Sequence, residues 1–487
     1  MIHAKPRILD GIYIVVCSGC LSALLVLFSV SRNWQYMPIA LSTIILITLV
    51  GKGVKPLLYS YKQYFPFLVW ILSFGIRYSY CLYVNPQAQQ VSDFSFILSE
   101  AINGPSGTEY YKYYLHKFLY PFLLHFLGFR TQIGVLLFQC IVAASTSLLI
   151  FLLGKEIGGT SLAFLAAIIH VFWPSQIVYV SITSEEHVAA LLVVALLILL
   201  IKFERFISAA LLSPPKRFKD YRPFIIKLLG AGTICGLAPF FKDWAIIVLV
   251  AAIICAFNLL FKYCNTQRIA LLLSIVCLFL CRATVQRGIT HIAEQYLGTD
   301  ANNNVIIWQM YESLDPGGSG AWDPIKVEEF QEIMQENNFN FDEGNKQALK
   351  ILGERVSANL DQMPSFLLKK GVASYSNDDD IFWWSFDSLL RIETNSVFPS
   401  LTSLIRHFGN IYYIVIIIGI LISAFTIRDR HTFFILLVIL GAILSSLLIE
   451  CQGRYKYSIE PIFAICLSNA IATLSTHRIA RMNRMKA

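Results

Sequence analysis

Residues Gln90–Gly128 read QVSDFSFILSEAINGPSGTEYYKYYLHKFLYPFLLHFLG. The stretch opens on a lone acid, Asp93. It then carries a cluster of Tyr, Lys and His, and ends on a Tyr-Pro step that leads back into apolar sequence. On both sides lie apolar runs of about 20 residues, the length that spans a hydrocarbon core of about 30 Å. The stretch therefore reads as a loop between two membrane spans, with its ionisable groups at the point where the chain leaves the bilayer.

Working outward, the same apolar signature recurs along the chain. Of 487 residues, 56% are hydrophobic and 14% charged, and the mean hydropathy is +0.61. Soluble domains carry nearer 25% charged residues. The apolar runs predict twelve spans, over 12–31, 37–53, 65–84, 131–153, 161–180, 187–203, 224–241, 244–261, 269–289, 410–427, 432–449 and 459–476. The first follows His3, Lys5 and Arg7. Without a small-x-small cleavage pattern it reads as a retained helix rather than a cleaved signal.

Charge orients these spans. With the N-terminus inside, the inner segments hold Lys52, Lys55 and Lys62, then Lys202, Arg205 and the basic run Lys216–Arg222, and later Arg428, Arg430 and the basic tail. That is a positive-inside pattern. The same orientation puts outside the Asp93 loop, Glu185-Glu186, Lys242-Asp243, residues 290–408 and the turn around Arg454. The 290–408 segment holds 18 acidic and 8 basic residues, against 13 acids and 31 bases elsewhere. Within it, Asp323-Pro324 predicts a helix N-cap followed by proline in the first turn. A second helix is expected over 342–360. The Trp- and Phe-rich stretch after Met363 suits a headgroup interface.

Several classes are excluded or unsupported. The cysteines show neither a disulfide framework nor zinc-type spacing. No Gly-rich phosphate loop marks a nucleotide-driven motor, and nothing points to nucleic acid as a partner. A secondary transporter or flippase would place polar, broken helices at the midplane and show two related halves. Here the ionisable residues collect at the outer helix ends.

The loop with its early acid, its Gly-bearing turn, its tyrosines and its Tyr-Pro re-entry resembles the first external loop of the GT-C superfamily. These are membrane glycosyltransferases that use lipid-phosphate-linked sugars. The nearest branch is that of the protein O-mannosyltransferases and lipid A aminoarabinose transferases, which often carries Asp-Glu where this chain has Asp93-Phe94. Further similarity lies in WPSQIVYVSITSEEHVAALLVVALLIL, GLAPFFKDWAIIVLVA, NLDQMPSFLLKKGVASYSNDDDIFWW and ECQGRYKYSIEPIFAI. Together these cover about residues 65–470.

The resemblance implies an all-α polytopic fold, a GT-C-like bundle of about 12 transmembrane helices with an external helical region. Residues 1–64 would add two N-terminal spans, and 65–289 would form the catalytic membrane module with its first external loop at 85–130. Residues 290–408 would form the external acidic segment, and 409–487 the last spans with a basic tail. The implied activity is transfer of a sugar from a polyprenyl-phosphate donor to a lipid, glycan or protein acceptor outside a bacterial cytoplasmic membrane. A polysaccharide polymerase or ligase, or a lipid-linked-sugar flippase, is the alternative. Such chemistry needs a carboxylate base near the acceptor and cations near the phosphate. The candidates are Asp93, Glu185 and Glu186 for catalysis, and Lys242, Arg454, Tyr455, Tyr111, Lys112 and His116 for substrate binding. No Asp-rich metal cage is apparent, and no cofactor is expected. An interfacial aromatic belt accounts equally well for the loop tyrosines, helix capping for Glu185 and Glu186, and snorkelling to headgroups for Lys242. His170, inside a span, reads as a satisfied polar contact.

Overall fold

The computed structural model describes residues 8–47, 63–84, 90–106, 111, 114–212, 222–260, 265–298, 305–390, 398–427 and 429–486. Among them the regular structure is helical, with no strand. Among the described residues, seven helices are long and apolar enough to cross a membrane: Phe65–Tyr83, Gln132–Val171, Glu186–Ile207, Arg222–Phe240, Leu271–Leu297, Leu401–Phe425 and Arg430–Leu448. Trp244–Phe257 and Glu460–Ser475 are shorter apolar helices. The all-α polytopic class expected from the sequence is the class observed.

Two of the twelve expected spans need correction at the N-terminus. The helices Ile14–Val30 and Trp34–Ile47 meet at 93° across a short break, as a broken span or re-entrant loop rather than two full crossings. Polar side chains explain the bend. Asn33 donates to Ser29 O at 3.0 Å and to Ser376 O at 2.5 Å, and Ser29 donates to Tyr375 O. The backbone between them is thus tied to another part of the molecule instead of continuing into lipid. The remainder of the span expected over 37–53, from residue 48, lies outside the described residues.

The spans expected over 131–153 and 161–180 correspond to one 40-residue element, Gln132–Val171, that doubles back at Gly159. Gly159 has φ 80° and ψ −171°, a conformation open to glycine and costly for other residues. Beyond it the two arms run side by side. A Cβ at Gly154 would lie 2.7 Å from Ala163 Cα, and Ser147 Oγ hydrogen-bonds His170 Nδ1 at 2.8 Å. The second arm stops at Val171 rather than 180. Pro174 starts a separate short helix, and a proline disfavours helical geometry in the residue before it.

Ion pairs mark two ends of the bundle. At one end Glu156 meets Lys202 at 3.5 Å and Arg205, and Glu204 meets Arg430 at 2.6 Å. At the other end the turns after Gln90, before Glu186, around Lys242 and around Arg454 come together. The 305–375 helices form a small core of their own there, built on Trp308, Tyr311, Phe330, Met334 and Phe366. Asp323 caps the helix Pro324–Glu336 through Ile325 N at 3.0 Å, and Phe341–Ala358 follows. In the Trp- and Phe-rich stretch, Asp379–Leu390 turns inward. Ile381, Phe382 and Phe386 are buried, and only Trp383 of the tryptophan pair is exposed.

Candidate functional site

The turn between His170 and Glu186 is the frame of the site. The short helix Pro174–Val178 and a 3-10 turn over Tyr179–Ser181 lead into residues 182–185, which are non-helical and buried, so their backbone groups need partners. Two glutamines supply them, Gln139 on the helix Gln132–Val171 and Gln90 just ahead of the helix Ser92–Asn103. Gln139 donates to Val180 O and Ile182 O, both at 2.8 Å, and accepts from Tyr120 OH at 3.1 Å and Ser184 N at 3.3 Å. Gln90 donates to Ser181 O at 2.8 Å and accepts from Thr183 N at 3.0 Å. The turn is thereby fixed, and it presents Glu185 and Glu186 side by side at the head of the next helix.

Glu186 accepts from Tyr179 OH and from Ser184 Oγ at 3.0 Å. Lys242 Nζ stands 4.0 Å from Glu186 Oε1 and 3.7 Å from the centre of the Tyr455 ring. Tyr455 donates to Glu450 at 2.5 Å. Beside it the Arg454 guanidinium lies 4.7 Å from both the Phe94 and Trp384 rings. Its Nε donates to Gln452, and its backbone N–H donates to Asp380 at 2.9 Å. An arginine stacked on aromatic faces keeps its planar donor edge available for an oxyanion. Asp93, in the first turn of Ser92–Asn103, pairs with Lys117 at 2.5 Å; its side chain is 39% exposed.

The electrostatics follow from this crowding. Burial opposes the charge on Asp93, but Lys117, Arg454 and Lys242 outweigh it and hold its carboxyl below the ordinary value. Burial pushes Glu185 up, against the pull of Lys117 and Lys242. Burial likewise lowers Lys242, against Glu186 and Glu185. Arg454 is raised: burial works against its charge, and Tyr179 and Glu186 more than compensate. Burial, then Lys117 and Lys242, keep His116 well below its usual range, so it is neutral at pH 7.

Of the residues selected from sequence, Asp93, Glu185, Glu186, Lys242, Arg454 and Tyr455 come together in this cluster, with His116 at its edge. Tyr111 does not line it. It is fully buried, donates to Glu100 at 3.2 Å and packs edge-on against Phe118, so it serves the core of the loop. Lys112 lies outside the described residues. His170 is bonded on both ring nitrogens, to Ser147 at 2.8 Å and Gln176 at 3.3 Å. Sequence reasoning missed Lys117, one residue beyond His116 in the same basic-aromatic run. It also missed Tyr179, Trp384 and the ion pair that backs the Arg454 turn. There Lys456 Nζ is 3.3 Å from Asp378 Oδ1, with both side chains buried. Trp173 and Ser175 donate to Asp378 at 3.0 and 2.6 Å.

Fold and site together define a multi-pass helical membrane protein with a cluster of cations and carboxylates at one end of its bundle. No family model matches the chain, and no curated protein does. Solved structures that are similar to it include the following two. One is the crystal structure of the Archaeoglobus fulgidus oligosaccharyltransferase tethered to an acceptor peptide containing the NVT sequon. It is 18% identical with a TM-score of 0.45, over 85% of this chain and 50% of that one. The other is the archaeal oligosaccharyltransferase AglB from Archaeoglobus fulgidus in complex with an inhibitory peptide and a dolichol-phosphate. It is 17% identical with a TM-score of 0.46, over 88% of this chain and 52% of that one. The chain thus spans about half the length of the solved structures it matches.

Proposed function

We propose that this protein is a GT-C-type membrane glycosyltransferase that moves a sugar from a polyprenyl-phosphate donor to an acceptor at the outer face of a bacterial cytoplasmic membrane. The observation that carries the reading is the convergence of Lys117, Lys242 and Arg454 with Asp93, Glu185 and Glu186 at one end of a lipid-embedded bundle.

In this reading Lys242 and Arg454 hold the donor phosphate at headgroup depth. Asp93, the carboxylate paired with Lys117 and partly open to solvent, faces the acceptor. The acceptor hydroxyl or amine attacks the anomeric carbon as Asp93 takes its proton. The bond from that carbon to the phosphate oxygen breaks, and polyprenyl phosphate leaves with its charge met by the two cations. Glu186 orients Lys242, and the buried Glu185 stands behind as a second carboxylate. The cations, rather than a metal, are proposed to neutralise the leaving group.

The test uses purified full-length protein in nanodiscs, offered polyprenyl-phosphate sugars and nucleotide sugars in parallel. Consumption of the lipid-linked donor alone is expected. Turnover of a nucleotide sugar in its place would sink the reading.

A further inference from the structure

Lys242 sits in a tight turn: its N–H donates to Ala238 O at 3.0 Å, and its carbonyl accepts from Trp244 N at 2.7 Å. The next residue, Asp243, is gripped from outside the turn. Arg282, on the helix Asn265–Leu297, donates to Asp243 Oδ2 at 2.6 Å, with side chains only 14% and 23% exposed. Arg282 lies within the span Leu271–Leu297, where an unpaired guanidinium is costly. Its distance from the turn is set by close helix packing. A Cβ at Gly232 would come 2.6 Å from Cys281 Cβ, and one at Gly236 would come 2.8 Å from Arg282 O. The Gly-bearing helix, Arg222–Leu237, leads straight into the Lys242 turn.

We propose that Arg282 is a positioning residue: by holding Asp243 it aims Lys242 at the donor phosphate. Asp243 and Lys242 are adjacent in a turn closed on both sides. Fixing the carboxylate on the Asn265–Leu297 side leaves the lysine directed the other way, over the Tyr455 ring and toward Glu186. Without Arg282 the Asp243 carboxylate would no longer brace this side of the turn, and the ammonium would lose its defined place between Tyr455 and Glu186. The inference rests on the reading of Lys242 as a phosphate ligand.

The experiment keeps the two apart. Binding of polyprenyl phosphate is measured on the full chain in nanodiscs for wild type, Lys242→Ala, Asp243→Asn, Arg282→Leu, Arg282→Lys and the swap Asp243→Arg/Arg282→Asp, with the melting temperature of each as a check on folding. Lys242→Ala is expected to weaken binding by about tenfold or more, the loss of one charge-assisted contact. Asp243→Asn and Arg282→Leu should approach that loss, and adding either to Lys242→Ala should bring little further loss, the signature of one coupled unit. The swap and Arg282→Lys should recover part of it. In turnover, the KM for donor should rise and that for acceptor should not. Wild-type affinity in folded Asp243→Asn and Arg282→Leu, beside a weakened Lys242→Ala, would overturn the positioning role alone. Wild-type affinity in Lys242→Ala would overturn the phosphate reading and this inference with it.

Discussion

Replacing Lys456 with Met should be among the most damaging single substitutions in the chain, although Lys456 touches no substrate in the proposed reaction. Its ammonium lies 3.3 Å from Asp378 Oδ1, donates to Ser374 O at 3.3 Å and to Asn377 O, and sits 4.5 Å from the Tyr413 ring centre. At that separation and an effective dielectric of about 20, the attraction is about 5 kcal/mol. Desolvation offsets much of this while both partners are present, so the pair itself stabilises little. Removing one partner leaves a buried carboxylate that keeps its hydrogen bonds from Trp173 and Ser175 but has lost its cation, which costs about 3–5 kcal/mol. The companion Lys456→Met/Asp378→Asn removes both charges and should recover most of that loss. Thermal unfolding of the purified protein in one detergent gives the order: wild type highest, the double variant between, Lys456→Met lowest. The single variant should also lose activity, since the turn it anchors carries Arg454 and Tyr455. A Lys456→Met protein that melts with wild type would refute the idea that this pair carries a buried charge.

Asp93→Asn keeps the shape of the side chain but removes the proposed base, so turnover should fall about 100- to 10,000-fold with polyprenyl-phosphate binding retained; near-normal turnover in a well-expressed variant would move the base to Glu185. The Asp93–Lys117 pair also carries a pH signature. The folded pKa lies below the unfolded one, so its stabilisation is present above the unfolded value near 3.8 and is lost as pH falls through the lowered folded value. The stability difference between wild type and Asp93→Asn should accordingly shrink on acidification, and a constant difference from pH 7 to pH 2 would deny the ion pair. Gly159→Ala should destabilise the helical reversal by about 1–3 kcal/mol, because φ 80° with ψ −171° is a backbone region essentially confined to glycine; an unchanged melting temperature would mean the arms can reverse elsewhere. Reagent-accessible single cysteines should label from outside at position 93 and not in the basic segment 214–222, and the reverse pattern would invert the proposed orientation.

Hydropathy made the helical class legible, because a span of about 20 apolar residues has few alternative explanations. It could not reveal the bend near Asn33, since the bend depends on carbonyls at 375 and 376, more than 300 residues away. It separated the two arms around Gly159 but ran the second arm past Pro174. At the site, the acids and bases at helix ends were legible because charge is costly inside the bilayer and so stands out at its margin. Tyr111 misled because a tyrosine beside a charged run looks the same whether it faces a ligand or a core. Lys117 and the Asp378–Lys456 pair were hidden for the opposite reason. Their meaning lies in what folding brings opposite them, and neither a single lysine nor a run of three aspartates declares its partner.

The charged cluster draws its members from turns far apart along the chain: Asp93 on one, Glu186 on the next, Lys242 on a third and Arg454 on a fourth. A ribosome makes these in order, and the membrane receives the helices between them in the same order. Until the turn bearing Arg454 has been made, with Arg430–Leu448 seated before it and Glu460–Ser475 after it, Glu186 and Lys242 face a gap where Tyr455 and Arg454 belong. A partly synthesised chain therefore carries its acids early and its full set of cations late. Whatever chemistry the cluster performs is withheld from the unfinished protein by the order of its own translation.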